Sequence, residues 1–101
     1  MKTKITLRPL TYGNGNLRLG LFTEDFNKYV KNNIVQNLFI DLGQGYKDVV
    51  YKKTYIKKGS LLNKALISDW LHQNGFTNNK YLLDFELDID MATNTHSYKL
   101  L

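Results

Sequence analysis

The chain has 101 residues, 43% apolar and 13% aromatic, with one proline and no cysteine, which suffices for one hydrophobic core and excludes a disordered chain, a disulfide scaffold, a cysteine-based zinc site and a thiol nucleophile. Its net charge of +5 is unevenly spread: residues 1–64 hold twelve Lys and Arg against four Asp and Glu, net +8, while residues 65–101 hold two against five, net −3. No apolar run is long enough to cross a membrane and the lysine-rich start lacks the apolar stretch of a signal peptide, so the expected location is the cytoplasm, as a single domain over residues 1–101.

Ile5 and Leu7 alternate with Lys4, Thr6 and Arg8, the pattern of a half-buried strand, and Pro9 is expected to stop it. Gly13, Asn14, Gly15 and Asn16 tolerate positive φ and mark a turn before Leu17, Leu19 and Leu21 resume alternation. Thr23 is placed to cap a helix of about two turns, with Glu24 and Asp25 at its positive end and Phe26, Tyr29 and Val30 facing inward.

Residues 34–42 are rich in Val, Ile, Leu and Phe, and Gly43 to Gly45 form a turn into a second strand expected over residues 46–56. In that strand Val49, Tyr51, Lys53 and Tyr55 would share one face and Val50, Lys52, Thr54 and Ile56 the other, so its far end runs out of core. Leu62, Leu66, Ile67, Trp70 and Leu71 then fall at helical spacing, with Ser60 or Asn63 as the cap. Gly75 can take the left-handed position that ends this helix, with Phe76 packing back on Leu71. Tyr81, Leu83, Phe85, Leu87 and Ile89 alternate with Leu82, Asp84, Glu86, Asp88 and Asp90, and a last strand covers residues 96–100. The expected architecture is α+β, mainly β, with six to seven strands and two short helices.

Chemistry concentrates in one place. Lys52, Lys53, Lys57, Lys58 and Lys64 lie within thirteen residues that also hold Tyr55, beside Tyr51. Such a cluster either keeps a strand face solvated or meets a polyanion, whose phosphates release counterions to the ammonium groups while the rings meet sugars and bases. Asp84, Glu86, Asp88 and Asp90 form an acidic stripe that can serve a hard cation but more commonly is a solvated sheet face. No lysine follows at nuclease spacing, no phosphate-cradling Gly-Lys-Ser motif occurs, and His72 and His96 have no catalytic partner at a meaningful spacing.

Two segments resemble the B-three DNA-binding domains of plant transcription factors and of restriction endonuclease effector domains. The first runs from Leu10 and Thr11 through Gly15, Asn16, Leu17, Arg18, Leu19, Gly20 and Leu21 into Phe26. The second is Trp70, Leu71, Gln73, Asn74, Gly75 and Phe76, followed by Leu82, Leu83, Phe85 and Leu87. The chain departs from the family pattern at Phe22 and Thr23, where a proline usually opens the first helix, and at Asn79 and Lys80, where a Gly-Asp turn is common. The resemblance implies an open DNA-binding pseudobarrel with two arms that enter the major groove, carried by position to Tyr12 through Arg18 and to Lys52 through Lys64.

On that footing Arg18 is the candidate for a bidentate contact with guanine, Asn14 and Asn16 for adenine edges, and Tyr12 completes the first arm. Lys52, Lys53, Lys57, Lys58 and Lys64 suit phosphates, as do Ser60 and Asn63 at the start of the Trp70 helix, and Tyr55 suits a base or sugar. Trp70 belongs to the core. The implied function is non-catalytic, sequence-specific recognition of double-stranded DNA in a restriction or defence system, without cofactor or metal, with catalysis in a separate nuclease or NTPase domain or subunit. Two alternatives are a small basic ribonuclease-type toxin, working through Tyr55, His72 or His96, and a phage-type inhibitor or adaptor that binds an acidic protein.

Overall fold

The first alternating stretch forms β1 (Lys2–Tyr12), and the second forms β2 (Asn16–Leu21), paired antiparallel from Leu7 opposite Leu21 to Tyr12 opposite Asn16. In this computed structural model, which describes residues 1–101, Pro9 does not end β1 as expected. Pairing with the strand on its other side stops at Leu7, so from there on β1 has an open edge and the missing N–H interrupts no ladder on that side. Gly13, Asn14 and Gly15 all take positive φ in the intervening turn, as their side chains allow.

The chain continues through α1 (Thr23–Tyr29), β3 (Asn37–Asp41) and β4 (Tyr46–Asp48). Thr23 is the first helical residue and caps nothing; Phe22 holds the cap position with no side-chain bond. The β3–β4 turn is tied by Asp41, whose Oδ1 accepts the Gly43 and Gly45 amides at 2.8 and 3.0 Å.

The main departure from expectation comes next. The strand expected over residues 46–56 ends at Asp48, and Lys52–Lys58 form a helix, α2, stopped by Gly59 in the left-handed conformation at φ 65°. Thr54, Tyr55 and Ile56 favour a strand by propensity, but packing overrides it. As a helix the segment drives Tyr55 fully into the core and leaves Lys53 and Lys57, four residues apart, on the opposite side. As a strand it would have put lysines on both faces.

After α2 comes β5 (Ser60–Leu61), and then a π-helical turn (Lys64–Ser68) that runs directly into α3 (Asp69–Gln73) and packs against β2. Asn63, one of the two expected caps, accepts the Leu66 amide through Oδ1 at 3.1 Å. The helix ends as expected: Gly75 has φ 75°, the Phe76 amide bonds the Leu71 carbonyl at 2.9 Å, and the Gly75 amide bonds the His72 carbonyl at 3.2 Å. The Phe76 ring stacks on Trp70, centroids 5.8 Å apart, and Trp70 packs against the core.

The antiparallel pair β6 (Leu83–Asp90) and β7 (Thr95–Leu100) completes a seven-stranded sheet of order β4-β3-β7-β6-β1-β2-β5, with β3 parallel to β7 and the other pairs antiparallel. The sheet curls into an open half-barrel with three short helices, one more than expected. Its inner face carries Leu7, Leu19, Leu38, Ile40, Phe85, Leu87 and Tyr98, all fully buried. No helix is long and apolar enough to cross a membrane.

Candidate nucleic-acid interface

Strand β2 is the ruler for the two expected arms. At one end the turn of residues 13–16 is held against α3 and the π-helical turn before it, where His72 Nε2 meets the Gly15 carbonyl at 3.1 Å and Ser68 Oγ accepts the Leu17 amide at 2.8 Å. At the other end the Leu21 amide bonds the Gly59 carbonyl at 2.8 Å, which fixes the C-terminus of α2 there. The two ends of β2 are five residue steps apart, roughly 17 Å. The hairpin tip and the lysine helix therefore flank β2 instead of meeting at one edge. Between them, β5 pairs Leu61 with Leu19 and Ser60 with Gly20.

The lysines divide by environment. Lys53, Lys57 and Lys58 on α2 and Lys64 at the start of the π-helical turn are exposed, and none lies within 4 Å of a carboxylate, since the chain's ion pairs are confined to Lys4 with Asp84 and the Met1 amino group with Asp88. Lys52 differs: its ammonium group bonds the Gln36 carbonyl, which anchors α2 to the chain entering β3. On the first arm Asn14 is exposed at φ 52°, Tyr12 is 37% exposed, and Asn16 and Arg18 are partly buried on β2.

Two expected contacts are corrected by burial. Tyr55 is fully enclosed, so its ring cannot reach a base or sugar. Its hydroxyl bonds His96 Nδ1 at 2.6 Å and the Tyr98 hydroxyl at 2.8 Å, with both rings edge-on to it. Burial holds the His96 imidazole down at about 4 and pushes the Tyr55 and Tyr98 phenols well above their ordinary value. Ser60, 2% exposed, is a strand residue beside Gly20 and not a helix-start donor. Asn63 is only partly buried and caps its own helix through its side-chain oxygen, which leaves its amino group as the donor there.

The acidic stripe lies on the outer face of β6, between the bases of its neighbours. Lys2, Lys4 and Thr6 of β1 stand opposite Asp88, Glu86 and Asp84, and Lys99 of β7 stands opposite Glu86. Thr6 Oγ1 donates to Asp84 at 3.0 Å and Lys4 Nζ approaches it at 3.6 Å. The residues named for ribonuclease chemistry do not converge on the surface: Tyr55 and His96 are in the core, and His72 is on α3 at the hairpin turn.

One feature escaped the sequence reading. Arg8 lies on the same outer face as Arg18, with its guanidinium carbon 4.7 Å from the centre of the Phe22 ring. Alternation places Arg8 on that face, but the proximity of Arg18 depends on the register across the turn. No family model matches the chain, and no curated protein or solved structure matches it.

Proposed function

We propose that this chain binds double-stranded DNA, with Lys53, Lys57, Lys58 and Lys64 on backbone phosphates and the β1–β2 hairpin, through Tyr12, Asn14, Asn16 and Arg18, directed at the groove. The observation that carries this reading is that four lysines stand exposed with no carboxylate partner, on elements that flank β2 together with a turn rich in polar, left-handed residues. Free ammonium groups on a short, well-anchored helix lose little on meeting phosphates and gain the entropy of released counterions. The separation of hairpin and helix along β2 suits a ligand that extends past both, and the resemblance to B-three domains points the same way. The wider role, recognition within a restriction or defence system beside a nuclease or NTPase partner, belongs to the same proposal.

The test is a fluorescence-anisotropy titration of labelled duplexes over a range of salt. Four lysine–phosphate contacts give a slope of log affinity against log salt near −3.6. A flat dependence, or no binding at low salt, rejects the reading and favours an acidic protein partner.

A further inference from the structure

Arg8 and Arg18 are the chain's only arginines. Register puts Arg8 opposite Gly20 and Leu10 opposite Arg18, so the two arginines occupy diagonal positions on one face of adjacent strands, about 7 Å apart at the backbone. Their surroundings are apolar. Leu10 folds over Gly20, where even a Cβ would collide with its side chain, and Phe22 lies beneath the Arg8 guanidinium.

Both Nε atoms are shut off from solvent and bond no acceptor. Neither guanidinium has a carboxylate within 4 Å: Asp84, the acid opposite Thr6 on the same face, is taken by Thr6 and Lys4, and Glu24 and Asp25 in the first turn of α1 pair with neither arginine. Two positive side chains thus rise from diagonal positions on one face of adjacent strands with no acid beside them, and their terminal amino groups are the free donors. Like charges on one face repel, and a single oxyanion that accepts from the terminal amino groups of both forks offsets that repulsion.

From this geometry we propose that Arg8 and Arg18 form a clamp for one phosphate group. The inference deepens the DNA reading, on which it rests for the source of the phosphate, and it replaces a guanine edge with a phosphate as the partner of Arg18. A tetrahedral phosphate offers oxygens in more than one plane to two forks, whereas a guanine edge presents two acceptors in one plane and satisfies only one.

The experiment is an NMR titration with inorganic phosphate at constant ionic strength, balanced with chloride. It follows the Arg8 and Arg18 Nε–H signals, which their enclosure protects from exchange. Saturable shifts of both signals with one common dissociation constant are expected, lost in R8Q and in R18Q and retained in K64Q. Separate constants, no response, or unchanged binding in R18Q overturn the clamp. R18K keeps the charge without the fork and is expected to bind phosphate more weakly; affinity equal to the parent overturns the two-fork geometry.

Duplexes with and without terminal phosphates locate the source. Equal affinity assigns the clamp to a backbone diester, and preference for phosphorylated ends assigns it to a terminus. Binding of phosphate without binding of any duplex rejects the DNA reading and leaves the clamp standing, while duplex binding that is indifferent to R8Q and R18Q rejects the clamp alone.

Discussion

Acid should unfold this protein through His96. The imidazole is 1% exposed, its Nδ1 bonds the Tyr55 hydroxyl, and burial favours the neutral ring. Above pH 6.5 the ring is neutral whether the chain is folded or not, and no proton is taken up on unfolding. Between 6.5 and about 4 the unfolded chain binds a proton that the folded chain refuses, so stability falls as pH falls. Below about 4 both states bind it and this loss levels off. At 1.36 kcal/mol per pH unit, the interval corresponds to a loss of up to about 3 kcal/mol, a large share of the stability of a domain this size.

The assay is urea unfolding followed by Trp70 fluorescence at a series of pH values, for the parent and for His96→Asn. The variant keeps an acceptor for Tyr55 and removes the titration; the carboxylates are common to both proteins and cancel in the difference. The parent should lose about 2–3 kcal/mol more than the variant between pH 7 and 4. A difference below about 0.5 kcal/mol would refute the reasoning, because it would mean that the folded core accepts the proton at no cost.

Four further outcomes follow from the same geometry. Tyr55→Phe strips partners from both His96 and Tyr98 and should cost about 1–3 kcal/mol in the same urea assay at pH 7. Two of the seven tyrosines, Tyr55 and Tyr98, should give no phenolate absorbance until the protein unfolds, and stability should fall as pH rises past 10, where the unfolded chain begins to lose protons that the folded chain keeps. Gly59→Ala forces a side chain into the left-handed region and places its Cβ 2.6 Å from the Phe26 ring, so more than about 2 kcal/mol should be lost by thermal or urea unfolding. Lys53→Gln and Lys57→Gln together should make the salt slope of duplex binding shallower by about 1.8, with no change in the unfolding midpoint beyond that of a surface substitution.

Much of the architecture was legible because the signals were local. Period-two alternation marked β1, β2 and β6, the Gly13–Asn16 cluster marked the first turn, and Gly75 with Phe76 marked the end of α3. Lys52–Lys58 misled for a physical reason: its central Thr54, Tyr55 and Ile56 lean toward strand by propensity, and the burial of Tyr55 against His96 and Tyr98, which favours the helix, depends on residues far along the chain. The candidate interface was half legible. Charge identified Lys53, Lys57, Lys58 and Lys64, but the tying of Lys52 to Gln36 and the enclosure of Tyr55 and Ser60 depend on contacts across the fold. The significance of Arg8 is hidden in the sequence because Arg18 lies beyond a turn, and only the strand register puts the two at diagonal positions on one face.

The order of the sheet bears on how the protein is made. Without β6 and β7 the sheet falls into two pieces, β4 with β3 and β1 with β2 and β5, each with an open edge, and the hairpin that joins them is made after both. During synthesis those edges wait unpaired, a state prone to self-association, and the net +8 of residues 1–64 keeps like chains apart until the joining hairpin arrives. That hairpin carries the acidic stripe and inserts it opposite Lys2 and Lys4 on one side and beside Lys99 on the other. The division of charge along the chain thus doubles as an assembly order, with repulsion first and attraction at closure.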